Sequence, residues 1–208
     1  RRLALTEVGA AYLRHCQDLR AAAQAAADTV AQVQTTPRGT VRVSCPVTLA
    51  QTMLGELMPD FLARYPEVRV EMQVSNRVVN LIEEGMDVAL RVRPTLDDSG
   101  SMVVKRLDDA HQVLVASPAL LARQGMPETL EALAQLDSIA MSAVDGRCTL
   151  RLIGPLGREH SLHYAPRYVV DDLLTLKLAA LAGVGMCWLP DYLCADEVRA
   201  GRLVHLLP

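Results

Sequence analysis

Aromatic side chains are scarce in this chain: of 208 residues, five are Tyr, one is Trp and one is Phe. Stacking platforms for single-stranded nucleic acid need such rings, so the scarcity excludes that mode of binding. Excess charge is missing too. A net charge of -3 and a pI of about 6.0 leave no basic face to track a phosphate backbone. No apolar run approaches the ~18 residues of a membrane span. The opening residues, Arg1-Arg2-Leu3-Ala4-Leu5, show neither the apolar core nor the cleavage pattern of a secretory signal. Five cysteines, at 16, 45, 148, 187 and 194, are an odd number without a CxxC pair. Reduced thiols in a cytoplasm are expected, with no disulfide frame, no metal and no cofactor.

What the chain has is patterning. Residues 6–34 read as one long helix with Thr6 as N-cap, ended by Pro37 and Gly39, a rod of about 40 Å. Its apolar positions, Cys16, Leu19, Ala23, Ala26, Val30 and Val33, recur every three or four residues, a heptad-like seam for a helix of a second subunit. Strands and helices then alternate: strand 41–44, helix 49–65, strand 68–74, helix 76–84, strand 88–92 and strand 102–107. This spacing predicts βαβ units and a parallel sheet. A second α/β unit is expected from strand 112–116, a helix capped by Ser117-Pro118, strand 138–142 and short β segments over 149–170. It closes with a helix capped by Asp171 and ended by Gly183, strand 185–189, helix 191–200 and strand 203–207. The expected divisions are therefore 1–36, 38–108 and 109–208.

The first unit carries the candidate chemistry. "SCPVT", Ser44 to Thr48, follows the first strand, and "TLAQ" reads as a capping box with Thr48 as N-cap and Gln51 three residues on. Free N–H groups and the positive end of a helix dipole suit a small anion there. Ser75-Asn76 sets up a second helix start after the second strand, and Arg91 ends the third, where its guanidinium can grip a carboxylate. Three strand ends thus gather donors along one sheet edge, where open α/β folds bind ligands. Ser142 and Asp171 are the corresponding positions of the second unit. As a nucleophile Cys45 would need a base beside it, and the sequence places no histidine there. Each of these residues taken singly also fits a plain cap, strand terminus or packing role.

The chain resembles a LysR-type transcriptional regulator. "RRLALTEVGAAYL" is similar to the end of that family's winged helix and the start of its linker helix. "LMPDFLARYPEVRVEM", "LIEEGMDVALRV" and "LAALAGVGMCWLPDYL" match three further stretches of its pattern in order. The resemblance implies two Rossmann-like subdomains of the periplasmic-binding-protein type II fold behind a long linker helix. It implies a small-molecule effector contacting Ser44, Cys45, Pro46, Val47, Thr48, Ser75, Asn76, Arg91, Ser142 and Asp171. A homodimer or homotetramer is implied, with DNA bound through a winged helix-turn-helix expected ahead of Arg1, and RNA polymerase as a further partner. A further strand and a helix are expected after "LVHLLP", and the fragment by itself is not expected to read DNA. Cys148 and Cys187 stand in unlike contexts, so peroxide sensing is not expected. The competing readings are a free-standing solute-binding protein of the same fold and a thiol enzyme using Cys45.

Overall fold

The computed structural model describes residues 6–31, 36–93, 102–154 and 157–207, with no side-chain description at 21 and 24–31. Val33, and the side chains of Ala26 and Val30, therefore lie outside the described part of the expected seam. The chain forms two compact units: Arg1–Cys45 with Leu54–Leu90, and Pro46–Met53 with Arg91–Pro208.

The first unit opens with α1 (Glu7–Ala31), where Thr6 Oγ1 accepts from the Gly9 N–H at 3.1 Å, the expected cap. Cys16, Leu19 and Ala23 of the seam are exposed, as are Val8 and Tyr12. After it, β1 (Gly39–Cys45) is the middle strand of a parallel sheet, with β2 (Val68–Val74) on one side and β3 (Val88–Ala89) on the other. Alternation sorts the faces. Val41 registers with Val70 and Val43 with Met72 on the apolar face; Arg42 registers with Glu71 on the polar one, their ion pair at 3.2 Å.

The helix expected over 49–65 comes in three pieces: α2 (Val47–Leu49), a π-turn (Ala50–Leu54) and α3 (Gly55–Arg64). Thr48 is not its cap. Pro46, with φ -60° and ψ 146°, holds the N-cap position, and no side chain caps the helix. The ring fixes φ where a helix can begin, so the start moves two residues earlier. Thr48 is buried inside α2, its carbonyl accepting from Thr52 Oγ1 at 2.8 Å. On the apolar face of the sheet, Leu54, Met58 and Phe61 flank a cleft of about 190 Å³ floored by Val43, Met72 and Val88.

The helix expected over 76–84 does not form, and the segment is a run of turns. The β-branched pair Val78-Val79 favours helix weakly, and the Asn80 side chain accepts from the Ile82 and Glu83 N–H groups at 3.2 and 3.4 Å. The strand expected over 88–92 shortens to β3. Residues 102–107 form no strand: all are exposed, and no described strand offers them a ladder.

In the second unit β4 (Gln112–Ala116) runs antiparallel to both β9 (Cys187–Pro190) and β10 (Val204–His205). The parallel arrangement of the first unit returns in β5 (Ile139–Ala140) beside β8 (Tyr168–Val169) and in a single bridge between Ser138 and Met186. Between these strands β6 (Cys148–Ile153) and β7 (Glu159–Tyr164) make a hairpin. Ser117 caps α4 (Pro118–Gln124), its Oγ accepting from the Leu120 N–H at 3.3 Å with Pro118 at the first helical position. Thr129 caps α5 (Leu130–Ala134) in the same way. Leu176 and Ala180 of α6 (Leu173–Leu181) pack into one cluster with Val115, Ile139, Leu189 and Leu193, the last from α7 (Asp191–Arg199). Leu120, Leu133, Leu162 and Met186 anchor a second. Gly185 lies where two backbones nearly touch: a Cβ on it would stand 2.9 Å from the Asp137 carbonyl oxygen.

Candidate functional site

The first unit does gather strand ends on one edge. β1 and β2 keep register to Cys45 and Val74, and β1 and β3 to Ser44 and Ala89. Past the ladder the edge is stitched twice more. The Ser75 N–H donates to the Cys45 carbonyl at 2.9 Å, and the Leu90 N–H to the Ser44 carbonyl at 2.8 Å. Ser44, Cys45 and Ser75 are thus brought together through backbone that the parallel sheet fixes. The order β2-β1-β3 means that the chain leaves β1 to one side and then crosses over it to the other. That reversal makes the carboxyl ends of β1 and β3 a topological switch point, the place where open α/β sheets receive ligands. Ser44 and Cys45 themselves have no exposed surface. Asn76, next along, is exposed, and Ser75 Oγ accepts from the Arg77 N–H at 3.1 Å.

The other predicted residues belong to the second unit. Pro46, Val47 and Thr48 open α2, and Arg91, half-buried, follows β3 by two positions. Ser142 and Asp171 come two residues after β5 and β8. Those two strands are parallel and tied past their ends by the Val170 N–H to the Ala140 carbonyl at 3.0 Å. The two therefore share a carboxyl edge, as Ser44 and Ser75 do, and both are exposed. Asp171 does not cap α6. Asp172 does, accepting from the Thr175 N–H at 2.7 Å and from Thr175 Oγ1 at 2.6 Å, and these bonds hold its carboxyl below the usual range. The doublet hid this. The spacing of Asp172 to Thr175, N-cap to third residue, was the signal that separates the two.

The two buried thiols of the second unit, Cys187 and Cys194, are poorly suited to nucleophilic work. Burial, and Cys194 beside it, push the Cys187 thiol up to about 12, and burial raises Cys194 too. The Ser142 carbonyl accepts from Cys148 Sγ at 2.9 Å. Among the described residues no cluster of His, Cys, Asp or Glu has the makings of a metal site, and no helix is long and apolar enough to cross a membrane.

Two α/β units with ligand-type strand edges of this kind define a small-molecule-sensing region of the periplasmic-binding-protein type II class. Residues 34–208 match the LysR substrate binding domain, and the chain belongs to the LysR family of transcriptional regulators. It is 31% identical over 207 residues to the HTH-type transcriptional regulator CrgA of Neisseria meningitidis serogroup C, covering all of this chain and 68% of that protein. It is 31% identical over 208 residues to the HTH-type transcriptional activator AaeR of Escherichia coli K12, covering all of this chain and 66% of that one. The solved structure of the Neisseria meningitidis CrgA superposes with a TM-score of 0.73 at 30% identity, over 100% of this chain and 69% of that one. The CrgA regulatory domain gives 0.70 at 29% identity, over 82% of each chain. Regulators of this family bind small-molecule effectors and DNA and form oligomers. The chain is thus the effector-binding part of a transcriptional regulator, and these relatives favour that reading over a free-standing solute-binding protein.

Proposed function

We propose that the effector is a small anion, a carboxylate, contacted by the set Ser44, Cys45, Pro46, Val47, Thr48, Ser75, Asn76, Arg91, Ser142 and Asp171. The observation that carries the reading is the reversal of strand order at β1, with Ser75 and Leu90 bonded to the carbonyls of Cys45 and Ser44 beside it. Within the set, Asn76 supplies amide donors and Arg91 the cation, whereas Thr48 and the buried Ser44 and Cys45 shape the loop. No bond is broken in this reading. The chain senses and does not catalyse, and it does so in the cytoplasm. Residues 1–36 are read as the end of a wing followed by the linker and dimerisation helix, and 38–108 and 109–208 as the two regulatory subdomains. The exposed Leu19 and Ala23 support pairing through α1 into a dimer or tetramer, with DNA read by a segment ahead of Arg1 and RNA polymerase as the partner on that DNA.

The test is a thermal-shift screen of small carboxylates, since a ligand at a hundred times its dissociation constant adds about 2.7 kcal/mol of stability. Arg91→Ala is expected to weaken the best of them by about 1.5–3 kcal/mol in calorimetry, the range for a hydrogen bond to a charged group. Undiminished affinity in Arg91→Ala and in Asn76→Ala would remove both from the site.

A further inference from the structure

The turn 76–85 leaves the candidate ligand edge and arrives at the helix α1, and an ion pair spans it from end to end. Arg77 Nη1 and Nη2 donate to Glu84 Oε1 and Oε2 at 2.8 and 2.5 Å, a two-pronged pair. The Glu84 carboxylate also accepts from the Asn80 N–H at 3.3 Å. The front of the turn is fixed to the edge, since Ser75 holds both the Cys45 carbonyl and the Arg77 N–H. Its back ends on Gly85, at φ +66°, where a Cβ would stand 3.6 Å from Arg20 Nη2 of α1. Cys16, Gln17 and Arg20 line a cavity of about 310 Å³ with Glu84 and Gly85. Val79 is the one buried apolar residue of the turn, so the clasp rather than a core shapes the segment.

We propose that the Arg77–Glu84 clasp is a relay by which an anion at the strand edge acts on α1. This rests on the anionic-effector reading above. An anion beside Asn76 is a second acceptor for the Arg77 guanidinium, and it competes with Glu84 for the same N–H groups. As Arg77 turns to the ligand, the charge of Glu84 falls to Arg20, and the end of the turn binds α1 more tightly. The ligand's negative charge is passed along the turn without the ligand touching the helix.

Hydrogen exchange on the 208-residue chain tests this whatever the effector is, with the amides of β4 and β9 as the reference for intact folding. Arg77→Gln opens the clasp and leaves Glu84 charged. It is expected to speed exchange at Asn80 and Glu84 and to slow it over residues 13–20 of α1 by up to about five-fold, the scale of one exposed ion pair. Glu84→Gln opens the same clasp without a carboxylate to pass on, so it speeds the turn and does not slow the helix. Adding Arg20→Gln to Arg77→Gln abolishes the slowing. If Arg77→Gln leaves residues 13–20 unchanged, or Glu84→Gln slows them equally, the relay is wrong. Inorganic phosphate serves as the anion probe. Binding heat with no change in α1 overturns the relay and leaves the effector reading standing. Absence of binding by phosphate and by every carboxylate of the screen sinks the effector reading, while the variants still decide the clasp.

Discussion

The two units bury their apolar side chains to different degrees. In the second, Leu120, Leu133, Leu176, Leu189 and Leu203 are buried members of two apolar clusters. In the first, the buried apolar residues among those described are Cys45 and Val79, whereas Leu57, Phe61, Val74 and Val88 are exposed. The contrast lies in how far the elements of each unit cover one another's apolar faces. Cohesion is concentrated in the second unit. The candidate ligand edge of the first is held by backbone bonds between parallel strands, the kind of low-stability element from which binding surfaces are drawn.

Substitutions sharpen or break that contrast. Leu176→Ala empties a packed site and is expected to cost about 2–5 kcal/mol. Val43→Ala, which borders an existing cleft, is expected to cost about 1 kcal/mol, since little new void is made. Urea midpoints of the two measure the difference, and equal losses would mean that the units are equally cohesive. Gly185→Ala drives a methyl into the Asp137 carbonyl and is expected to cost about 1–3 kcal/mol, with the loss confined to the second unit by hydrogen exchange. Asp172→Ala removes the α6 cap for about 0.5–2 kcal/mol. Because the Asp172 carboxyl titrates lower in the folded chain than in the unfolded one, its contribution is complete above the unfolded value. It is lost as pH falls through the folded value. The parent and Asp172→Ala should therefore differ at neutral pH and converge in acid, read from urea midpoints at each pH.

Local signals carried much of the architecture. The strands expected over 68–74 and 112–116 match β2 and β4 to the residue, the first through uninterrupted alternation and the second through a short buried apolar run. Ser117-Pro118 marks its helix for the same kind of reason: the cap and the proline act within one turn. Thr48 misled because a capping box says nothing of a proline two residues upstream, which had already fixed the start. The helix expected over 76–84 failed because its apolar spacing is helical but Val78, Val79 and Asn80 are not helix formers. Nor could the antiparallel setting of β4 be read locally, since its partners come from 187–190 and 204–205. Of the candidate site, the strand-end residues were legible because parallel strands of known phase must end on one edge. Which side chains face a ligand is a matter of tertiary packing, and single-sequence spacing does not hold that information.

The π-turn at Ala50–Leu54 means that one turn of this helix carries an additional residue compared with an α-turn. Deleting one residue there would restore ordinary α-geometry, and because the wider turn already absorbs the additional residue, the helix beyond it would keep its phase. Met58 and Phe61 would still meet the apolar residues of the sheet, whereas a deletion inside the first turn of α3 would turn them away by about 100°. The wider turn therefore lets the segment hold one more residue while the same side of α3 stays on the sheet.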